Sequence, residues 1–516
     1  MDWFMPSRTH PRSRFGVSAF LLAWIVLGLA PPATPSVPGT VLETLPVDLS
    51  QLAPAAQRTR TTLTLPPERW SDSSKLCAPF RFTMIGLSWR GSGHADAAIT
   101  SGGGFHLAQA DEHDGPDRGS PDDAGIVGTP PVWTGERRCV NVRLRTHDQG
   151  SSLKDLKVTF LNTSGTAEEP SLVGSIGRSI AGALSGLTGT WGPAPAGAWT
   201  KQPRIRTRAE WGADEKLRKR NCDGTPDYAD SLELAYIHHT ATGNGYSKGQ
   251  VDDQIRGIYA YHVKSRGYCD IAYNFVMDKW GRAWEARYGG IDKPVIGGHA
   301  SGFNTGSTGI AVLGTYTNKT PERALVRNLK KLVRWRMDVA HVKPNGFSTV
   351  KARSGTNHRY ETGQWVRLRS VIPHRKTGYT SCPGDRLAKK VAPIRKRASK
   401  TGHPKIYRPA GSSKELIHAE GDTVRLAATA SKAGARWWLK VTDANGAAVR
   451  SYTGTGRAAG TTWNGQDGNG VPVPDGSYTA TFTARWDGKD ARPAALEIRV
   501  CSAADPSTGR CPEPAP

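Results

Sequence analysis

Cys382 and His374 are the two residues of this chain whose types and spacing most directly suggest chemistry. The chain contains seven cysteines. Six of them divide by neighbourhood into three predicted disulfides: Cys77 with Cys139, Cys222 with Cys269, and Cys501 with Cys511. The seventh, Cys382, follows His374 by eight residues, and a thiolate near a histidine is suited to metal binding. The alternative, a thiol buried as a small apolar residue, has equal support from the spacing alone.

The N-terminus has the layout of an export signal. Arg8, Arg12 and Arg14 precede a mostly apolar run of fourteen residues from Val17 to Ala30, and a Pro-rich stretch follows. The run is short for a membrane span, so residues 1–35 are predicted to direct export, with an uncleaved membrane anchor as the alternative. We therefore expect a secreted protein, extracellular or associated with the cell wall, with no stable membrane insertion after the signal is removed.

Positive charge is concentrated in the middle of the chain. The net charge is +24. Between Arg204 and Arg408, 39 Lys and Arg residues stand against 17 Asp and Glu residues, a surplus of 22. Such a field attracts polyanions, which for an exported protein are the anionic polymers of a cell envelope rather than nucleic acid. A charged surface that only keeps the protein soluble is the alternative.

Composition and residue patterns divide the chain into several units. The predicted units are an export signal (1–35), a β-rich domain of unknown role (40–165), a Gly-, Ala-, Ser- and Pro-rich linker (166–203), an α/β domain (204–405), an all-β domain (410–500) and a C-terminal tail (501–516). Alternating residues in the first domain predict a small β sandwich joined by the Cys77–Cys139 disulfide. Its Gly-, Ser- and Asp-rich residues around 101–125 predict surface loops.

Strands and helices alternate in the central segment, which favours an α/β domain. The predicted elements are a buried strand (234–238), a helix capped by Ser247, two strands around a turn (273–287), a strand (308–315), a helix capped by Thr320 with Pro321 at its first position, and a basic helix (384–399).

Five short motifs follow one another in this central segment. They are Ile237-His238-His239-Thr240-Ala241, Cys269-Asp270-Ile271-Ala272-Tyr273-Asn274-Phe275, Gly298-His299-Ala300, Asn304-Thr305-Gly306-Ser307-Thr308-Gly309-Ile310, and His374-Arg375 with Ser381-Cys382-Pro383-Gly384. In this order they resemble the peptidoglycan recognition protein family, which includes zinc-dependent N-acetylmuramoyl-L-alanine amidases of the phage-lysozyme type (type 2 amidases). The resemblance covers residues 204–400 and implies a central α/β amidase domain with a mixed sheet flanked by helices.

The C-terminal segment resembles a different family. Its dense turns, such as Trp463 to Gly470, are similar to those of the immunoglobulin-like module of flagellar hook-cap proteins. The expected architecture is therefore multidomain, with the central α/β amidase domain between an N-terminal β domain and a C-terminal immunoglobulin-like β sandwich.

The resemblance to the recognition protein family implies a Zn²⁺ cofactor held by His238, His374 and Cys382. Neighbouring residues on a strand point to opposite faces, so only one histidine of the His238-His239 pair can bind the metal. Three protein ligands leave the fourth tetrahedral position of zinc for water, as a catalytic zinc site requires.

The same resemblance implies roles for residues around the metal. Tyr273 and Thr380 match catalytic positions whose hydroxyls can donate to water or to the developing oxyanion. An ordinary strand tyrosine and a loop-capping hydroxyl are the respective alternatives. The implied substrate-binding residues are His299, for which a structural role is the alternative, and Asn304 and Thr305, which are expected to shape the adjacent groove wall. His239 is expected to be packed or hydrogen-bonded, with a direct substrate contact as its alternative.

Two residues depart from the family pattern. Ala272 replaces a glycine before the tyrosine, which is a small change. Lys376 replaces an acidic residue that relatives often place after His-Arg. The loss of that carboxylate leaves open what orients His374.

Two classes of function remain at this point. The first is a secreted zinc amidase, a hydrolase that cuts the amide bond between the lactyl group of N-acetylmuramic acid and L-alanine in peptidoglycan. The second is a non-catalytic peptidoglycan-binding protein, a kind that also exists in the family. Retention of His238, His374 and Cys382 favours the enzyme. Peptidoglycan is the expected partner, anionic wall polymers are a second one, and the flanking β domains resemble targeting modules by fold analogy alone.

Overall fold

Three folded units follow one another along the chain. The computed structural model describes residues 41–46, 62–64, 69–71, 73–91, 95–100, 104–109, 115–146, 152–164, 199–356 and 358–512. The predicted export signal and most of the predicted linker lie outside these residues. Within the described ranges, no helix has both the length and the apolar character needed to cross a membrane.

The N-terminal unit is one antiparallel sheet. Its strands are β1 (Val41–Pro46), β2 (Thr62–Thr64), β3 (Ser74–Arg90), β4 (Ala95–Thr100), β5 (Phe105–Gln109), β6 (Val127–Gly128), β7 (Val132–Thr146) and β8 (Ser152–Asn162). They join in the order β1-β8-β3-β7-β4-β5, with β2 on β8 and β6 on β3. Cys77 and Cys139 lie opposite each other on the neighbouring strands β3 and β7, so their disulfide joins two strands of the same sheet. The predicted sandwich of two sheets is therefore wrong for the described residues.

The central unit is a six-stranded mixed sheet with helices on both faces. Its elements are β9 (Ile205–Arg206), β10 (Leu234–His239), α1 (Val251–Lys264), β11 (Phe275–Met277), β12 (Ala283–Glu285), β13 (Ser307–Val312), α2 (Arg323–Val339), β14 (Phe347–Lys351), β15 (Trp365–Arg369), β16 (Val371–Pro373) and α3 (Asp385–Ala398). The sheet has the order β16-β10-β13-β11-β12-β9. Strands β16, β10, β13 and β11 are parallel, and β12 runs antiparallel to β11.

The two faces of this sheet are covered differently. Helices α2 and α3 cover one face, where Ile237 and Ile310 share a core with Leu329. On the other face, α1 packs over β11 and β13, and the β14–β15 hairpin packs beside β10 around Tyr236. We call the surface between α1 and this hairpin the groove. Its α1 wall consists of α1, residues 265–271 that follow it and Arg287, which is bonded to Ile271. Its hairpin wall consists of β14, β15 and residues 352–356.

Helix starts in this unit follow local backbone chemistry. Ser247 forms a capping box with Gln250 in a short 3-10 turn that leads into α1. Helix α2 starts later than predicted, because the backbone stays extended through Glu322, which is the N-cap residue at φ −61° and ψ 145°. Thr320 and Pro321 therefore precede α2, and the predicted cap at Thr320 is wrong.

The N-terminal sheet packs against α1 with its second face. Alternate residues from Ile85 to Trp89 belong to the core on one face of the sheet, whereas Met84 packs on the opposite face with α1. Two glycines permit the close approach. A Cβ on Gly86 would lie 2.4 Å from the ring of Tyr261, and one on Gly257 would lie 2.3 Å from the sulfur of Met84. The N-terminal sheet therefore has its own core on one face and helix α1 of the central unit on the other.

The C-terminal unit is a sandwich of two sheets, as predicted. Its strands are β17 (Ile406–Gly411), β18 (Glu415–Ile417), β19 (Val424–Ala430), β20 (Arg436–Thr442), β21 (Ala448–Thr455), β22 (Ala458–Trp463), β23 (Gly476–Trp486), β24 (Lys489–Asp490) and β25 (Ala494–Cys501). Strands β17, β19 and β22 form one sheet and the remaining six form the other. Leu426 and Trp463 of the first sheet share a single core with Phe482 of the second.

All three predicted disulfides are present. They join Cys77 with Cys139, Cys222 with Cys269, and Cys501 with Cys511. Cys501 is the last residue of β25, so the predicted C-terminal tail begins inside the final strand. Cys382 takes part in none of these bonds and is buried.

Candidate metal centre

His238, His374 and Cys382 meet at one edge of the central sheet. His238 lies near the end of β10 and His374 directly follows β16. Because these strands are parallel neighbours, their C-terminal ends lie side by side, and Cys382 reaches the same place from the loop before α3. The three residues are 0%, 1% and 4% exposed, respectively.

Two donor atoms of these residues have the separation that a zinc ion requires, and the third lies close to both. One ligand atom from each residue lies within 4.8 Å of the other two, and His238 Nδ1 lies 3.6 Å from Cys382 Sγ. With Zn–N of about 2.05 Å and Zn–S of about 2.3 Å, tetrahedral geometry separates nitrogen and sulfur by roughly 3.5 Å. Two imidazoles and one thiolate are also ligands that zinc prefers, so the residues present fit this ion.

The loop that carries two of these ligands is held by Arg375. Its backbone N–H donates to the carbonyl oxygen of Cys382 at 2.9 Å, and its guanidinium pairs with Asp385 at 2.6 Å. Lys376, the residue that departs from the family pattern, is exposed. Arg375 therefore holds the two ends of the loop, at His374 and Cys382, close together without a carboxylate at position 376.

Packing against Tyr236 orients the ring of His374. The two rings meet edge to face with centroids 6.2 Å apart, and the hydroxyl of Tyr236 accepts a hydrogen bond from Thr377 at 3.1 Å. Burial raises the pKa of Tyr236, so its hydroxyl stays protonated. Tyr236 is therefore one neighbour that restricts the His374 ring where position 376 offers no carboxylate.

His239 faces away from the groove. Its Nδ1 accepts a hydrogen bond from the backbone N–H of Tyr316 at 3.2 Å, and Tyr316 belongs to the core under α2 and α3. These contacts are those of the packed, hydrogen-bonded role expected for His239, since consecutive residues of β10 point to opposite faces.

The two predicted catalytic hydroxyls have different surroundings. Tyr273 is 4% exposed and its ring centroid lies 5.4 Å from that of His238. Thr380 is half-buried, and its hydroxyl oxygen accepts the backbone N–H of Cys382 at 3.1 Å. Thr380 thus has the loop-capping contact named as its alternative role, although its own proton can still be donated elsewhere.

Three predicted substrate residues, His299, Asn304 and Thr305, lie at the base of the groove, which we call its floor. Their surroundings differ. The ring of His299 lies beside the metal ligands, with its centroid 5.0 Å from that of His238. Asn304 instead shapes the loop, because its Oδ1 accepts the backbone N–H groups of His299 at 2.7 Å and Ala300 at 2.9 Å. Thr305 lies next to it, with its hydroxyl 3.5 Å from a carboxylate oxygen of Asp117.

Sequence reasoning missed two contributors to this site. His262 of α1 lies 5.9 Å from Tyr273 between ring centroids, and its Nδ1 accepts the backbone N–H of Ala272 at 3.1 Å. Its position on the buried face of a predicted helix was the only available signal. Asp117 comes from the N-terminal unit, and nothing in the sequence of its Asp- and Gly-rich loop distinguishes it from a surface residue.

The central unit matches known proteins over most of its length. Residues 228–385 match the family described as N-acetylmuramoyl-L-alanine amidase. Peptidoglycan-recognition protein SC2 of Drosophila simulans is 31% identical over 183 residues, which cover 36% of this chain and 82% of that protein. Peptidoglycan-recognition protein 1 of Holotrichia diomphalia is 30% identical over 152 residues, which cover 30% of this chain and 72% of that protein.

The chain belongs to the peptidoglycan recognition protein family. The share of each relative that is covered shows this membership for the central unit. A solved structure of Drosophila PGRP-LB is also similar, at 22% identity and a TM-score of 0.28, over 37% of this chain and 92% of that one. Residues 414–488 match the FlgD Ig-like domain, which confirms the predicted resemblance to flagellar hook-cap proteins.

Membership in the recognition protein family limits the function to two related possibilities. A domain of this type either recognises peptidoglycan or also cleaves it as an amidase. The chemistry of the metal centre bears on the choice between them.

Proposed function

We propose that the protein is a secreted, zinc-dependent N-acetylmuramoyl-L-alanine amidase that hydrolyses the bond between the lactyl group and L-alanine in peptidoglycan. The observation that carries this proposal is the donor set of His238, His374 and Cys382, with nitrogen and sulfur 3.6 Å apart. Among the residues that the structure describes, this cluster of possible ligands has three members and no fourth. A structural zinc site has four protein ligands, whereas a catalytic one keeps a position open.

The residues around the metal have distinct roles in this proposal. When bound, Zn²⁺ polarises the amide carbonyl and lowers the pKa of a coordinated water to about 7. Tyr273, whose ring lies beside that of His238, donates a hydrogen bond from its hydroxyl to the oxygen on which negative charge develops. Thr380 supports this mainly by fixing the backbone at Cys382. His299 forms the side of the site where the peptide stem lies.

Burial strengthens the contribution of Tyr273. The tyrosine, the two histidine ligands and His299 are each at most 4% exposed. A hydrogen bond aimed at a developing charge is worth more where water is excluded, because the local dielectric constant is low. The same burial keeps bulk water from replacing the tyrosine hydroxyl.

Digestion of purified peptidoglycan tests the proposal. We expect the zinc-loaded protein to release new L-alanine amino termini, identified by labelling of amino groups and mass spectrometry of the fragments. Protein treated with a chelator should release none, and added zinc should restore release. Intact, zinc-loaded protein that binds peptidoglycan but releases no L-alanine termini would establish the second function, a binding protein without catalysis.

We also propose that anionic wall polymers bind the opposite face of the central unit. A cleft of 880 Å³ beside α2 has no acidic residue in its lining. Six basic side chains line it: Lys201, Arg204, Arg206, Arg282, Lys331 and Arg334. Arg204 and Arg282 are paired with Glu210 and Asp278, so the net positive charge comes from the other four.

Salt dependence tests this second binding face. Binding to whole walls should weaken as the salt concentration rises above physiological strength, where the Debye length is about 8 Å. At low salt, Lys331→Glu should bind whole walls more weakly than the unaltered protein does. Its rate of L-alanine release from soluble muropeptides should be unchanged. Binding that is insensitive to salt and to this substitution would assign wall attachment to the flanking β units.

A further inference from the structure

One stretch of the N-terminal unit lies between the two walls of the groove. This crossing segment, residues 115–126, directly precedes β6. It was predicted to be part of a surface loop, yet Asp117 and Asp122 within it are only 8% and 5% exposed. Their burial requires partners, because an uncompensated carboxylate is costly away from water.

The first part of the crossing segment is bonded to the floor and the hairpin wall. Asp117 Oδ1 accepts hydrogen bonds from the backbone N–H of Gly302 and from the side-chain amide of Asn304, both at 2.8 Å. The same amide donates to the carbonyl oxygen of Gly115 at 2.9 Å. The backbone N–H of Arg118 then donates to the carbonyl oxygen of Ser354, just beyond β14, at 2.9 Å.

The second part is bonded to the α1 wall. Asp122 Oδ2 pairs with Arg287 at 2.5 Å, and both side chains are 7% exposed. Asp122 Oδ1 accepts the backbone N–H of Cys269 at 2.5 Å, and Cys269 is itself held by the disulfide to Cys222. Nearer to β6, the carbonyl oxygen of Ile126 accepts a hydrogen bond from Arg266 at 3.2 Å.

Between these anchors the segment lies against the floor of the groove. A Cβ built on Gly298 would lie 3.7 Å from the backbone nitrogen of Pro116. Gly298 precedes His299, whose ring is 5.0 Å from that of His238. The crossing segment therefore spans the groove at the end where α1 finishes, within a few residues of the metal ligands.

A cleft of 660 Å³ lies where the crossing segment meets both walls. Arg118 of the segment and Arg266 of the α1 wall line this cleft, together with one acidic residue, Asp123. The carboxylate of Asp123 already accepts the backbone N–H groups of Gly119 and Gly125. The balance of charge in the cleft is positive, which suits a carboxylate ligand.

We infer that the crossing segment closes one end of the groove and that Arg118 binds the terminal carboxylate of a peptide stem that ends there. The inference rests on the proposed function and specifies its substrate as uncross-linked stem peptides. In a cross-linked pair, the carboxyl group of the donor stem is part of the linking amide, so the donor stem has no free terminal carboxylate and continues into the acceptor stem. The bonds from Asp117 and Asp122 hold the segment across the groove, where it obstructs such a continuation.

Three soluble muropeptides test this inference on the full chain. They are an uncross-linked monomer, the same monomer with its terminal carboxylate amidated, and a cross-linked dimer whose acceptor stem is amidated at its terminal carboxylate, so that neither stem of the dimer has a free one. For the unaltered protein we expect kcat/KM to fall roughly tenfold on amidation, the scale of one lost charge-assisted hydrogen bond, and at least as much for the dimer. Arg118→Ala should lower kcat/KM for the monomer by the same factor, mainly through KM, and should leave the amidated monomer unaffected.

A matched variant and a binding measurement distinguish failure of this inference from failure of the proposed function. Arg81→Ala removes an equally charged side chain from β3, where Arg81 lies 4.0 Å from Glu136, and should change none of the three rates. The inference is overturned if the unaltered protein cleaves the dimer as efficiently as the monomer, or if Arg118→Ala affects both monomers equally. Should no substrate be cleaved, the proposed function fails, and calorimetric binding of the three muropeptides still decides the inference by the same ratios.

Discussion

Replacement of Tyr273 by phenylalanine separates catalysis from metal binding and from folding. The variant loses only a hydroxyl, which is not among the three clustered ligand groups. Loss of one donor to a developing oxyanion costs about 2.7–4 kcal/mol, or roughly 100- to 1,000-fold in kcat. Since Tyr273 is 4% exposed, little water can replace the hydroxyl, and we expect the effect to fall inside that range. The rate of L-alanine release from peptidoglycan measures it.

The matched control is Tyr259→Phe. Tyr259 belongs to the same buried cluster as Tyr273, but its hydroxyl donates to the carbonyl oxygen of Asp214 at 3.0 Å and takes no part in the metal centre. This variant should lose about 1 kcal/mol of stability and keep its activity within about twofold. Both variants should retain zinc, measured as metal content after dialysis, and should bind walls as the unaltered protein does. The reasoning is refuted if Tyr273→Phe keeps more than half of the activity, or if it loses zinc.

Three further substitutions test the metal, the loop and the junction between units. Cys382→Ser should abolish both zinc content and L-alanine release, because it removes one of the three ligands; full zinc retention in metal analysis would contradict the ligand assignment. Thr380→Val should lower kcat by about tenfold or less, because its hydroxyl caps the N–H of Cys382, and an effect as large as that of Tyr273→Phe would argue instead for a direct catalytic role. Asp122→Ala leaves Arg287 buried without its closest carboxylate and should lower the free energy of unfolding by about 3–5 kcal/mol, measured by urea denaturation; a change below 1 kcal/mol would show that the pair contributes little to docking.

The metal centre could be predicted from the sequence because its parts are local. His238 ends a continuous buried strand, and His374 and Cys382 lie in one short loop. The resemblance of the ordered motifs to the recognition protein family implied these three ligands. Strand β16 before His374 was not predicted, and only the fold shows that it is the parallel neighbour of β10. The three disulfides could be predicted for a similar reason, since each joins the two cysteines of one folded unit.

The N-terminal unit was harder to predict because alternation reports only one face of a strand. From Ile85 to Trp89, alternate apolar residues mark the face with its own core. On the other face, Gly86 and Ser88 look like solvent-facing residues, although Gly86 makes room for the ring of Tyr261. A helix that arrives from more than 150 residues away leaves no periodic signal in the strand it covers.

The burial of single residues in the crossing segment could not be predicted from the sequence either. Asp117 and Asp122 occur among glycines, serines and prolines, a composition typical of exposed turns. Their partners lie far along the chain, with Asp122 and Arg287 separated by 165 residues. Only the fold decides whether such a carboxylate meets water or a buried guanidinium, so the sequence could not assign these residues to the groove.

The contacts between the N-terminal unit and the central unit are not those of a separate targeting module. A targeting module acts through its own surface and can be joined by a flexible linker, which is the role that fold analogy first suggested. Here the unit shares a core with α1, its Asp117 accepts a hydrogen bond from Asn304 on the floor of the groove, and its Asp122 pairs with Arg287 on the α1 wall. Because α1 is itself one wall of the groove, any movement of the N-terminal sheet would move the wall and the crossing segment together. Under the proposed function, the N-terminal unit is therefore a fixed part of the substrate site, and we propose that its sequence determines which peptide stems reach the metal centre.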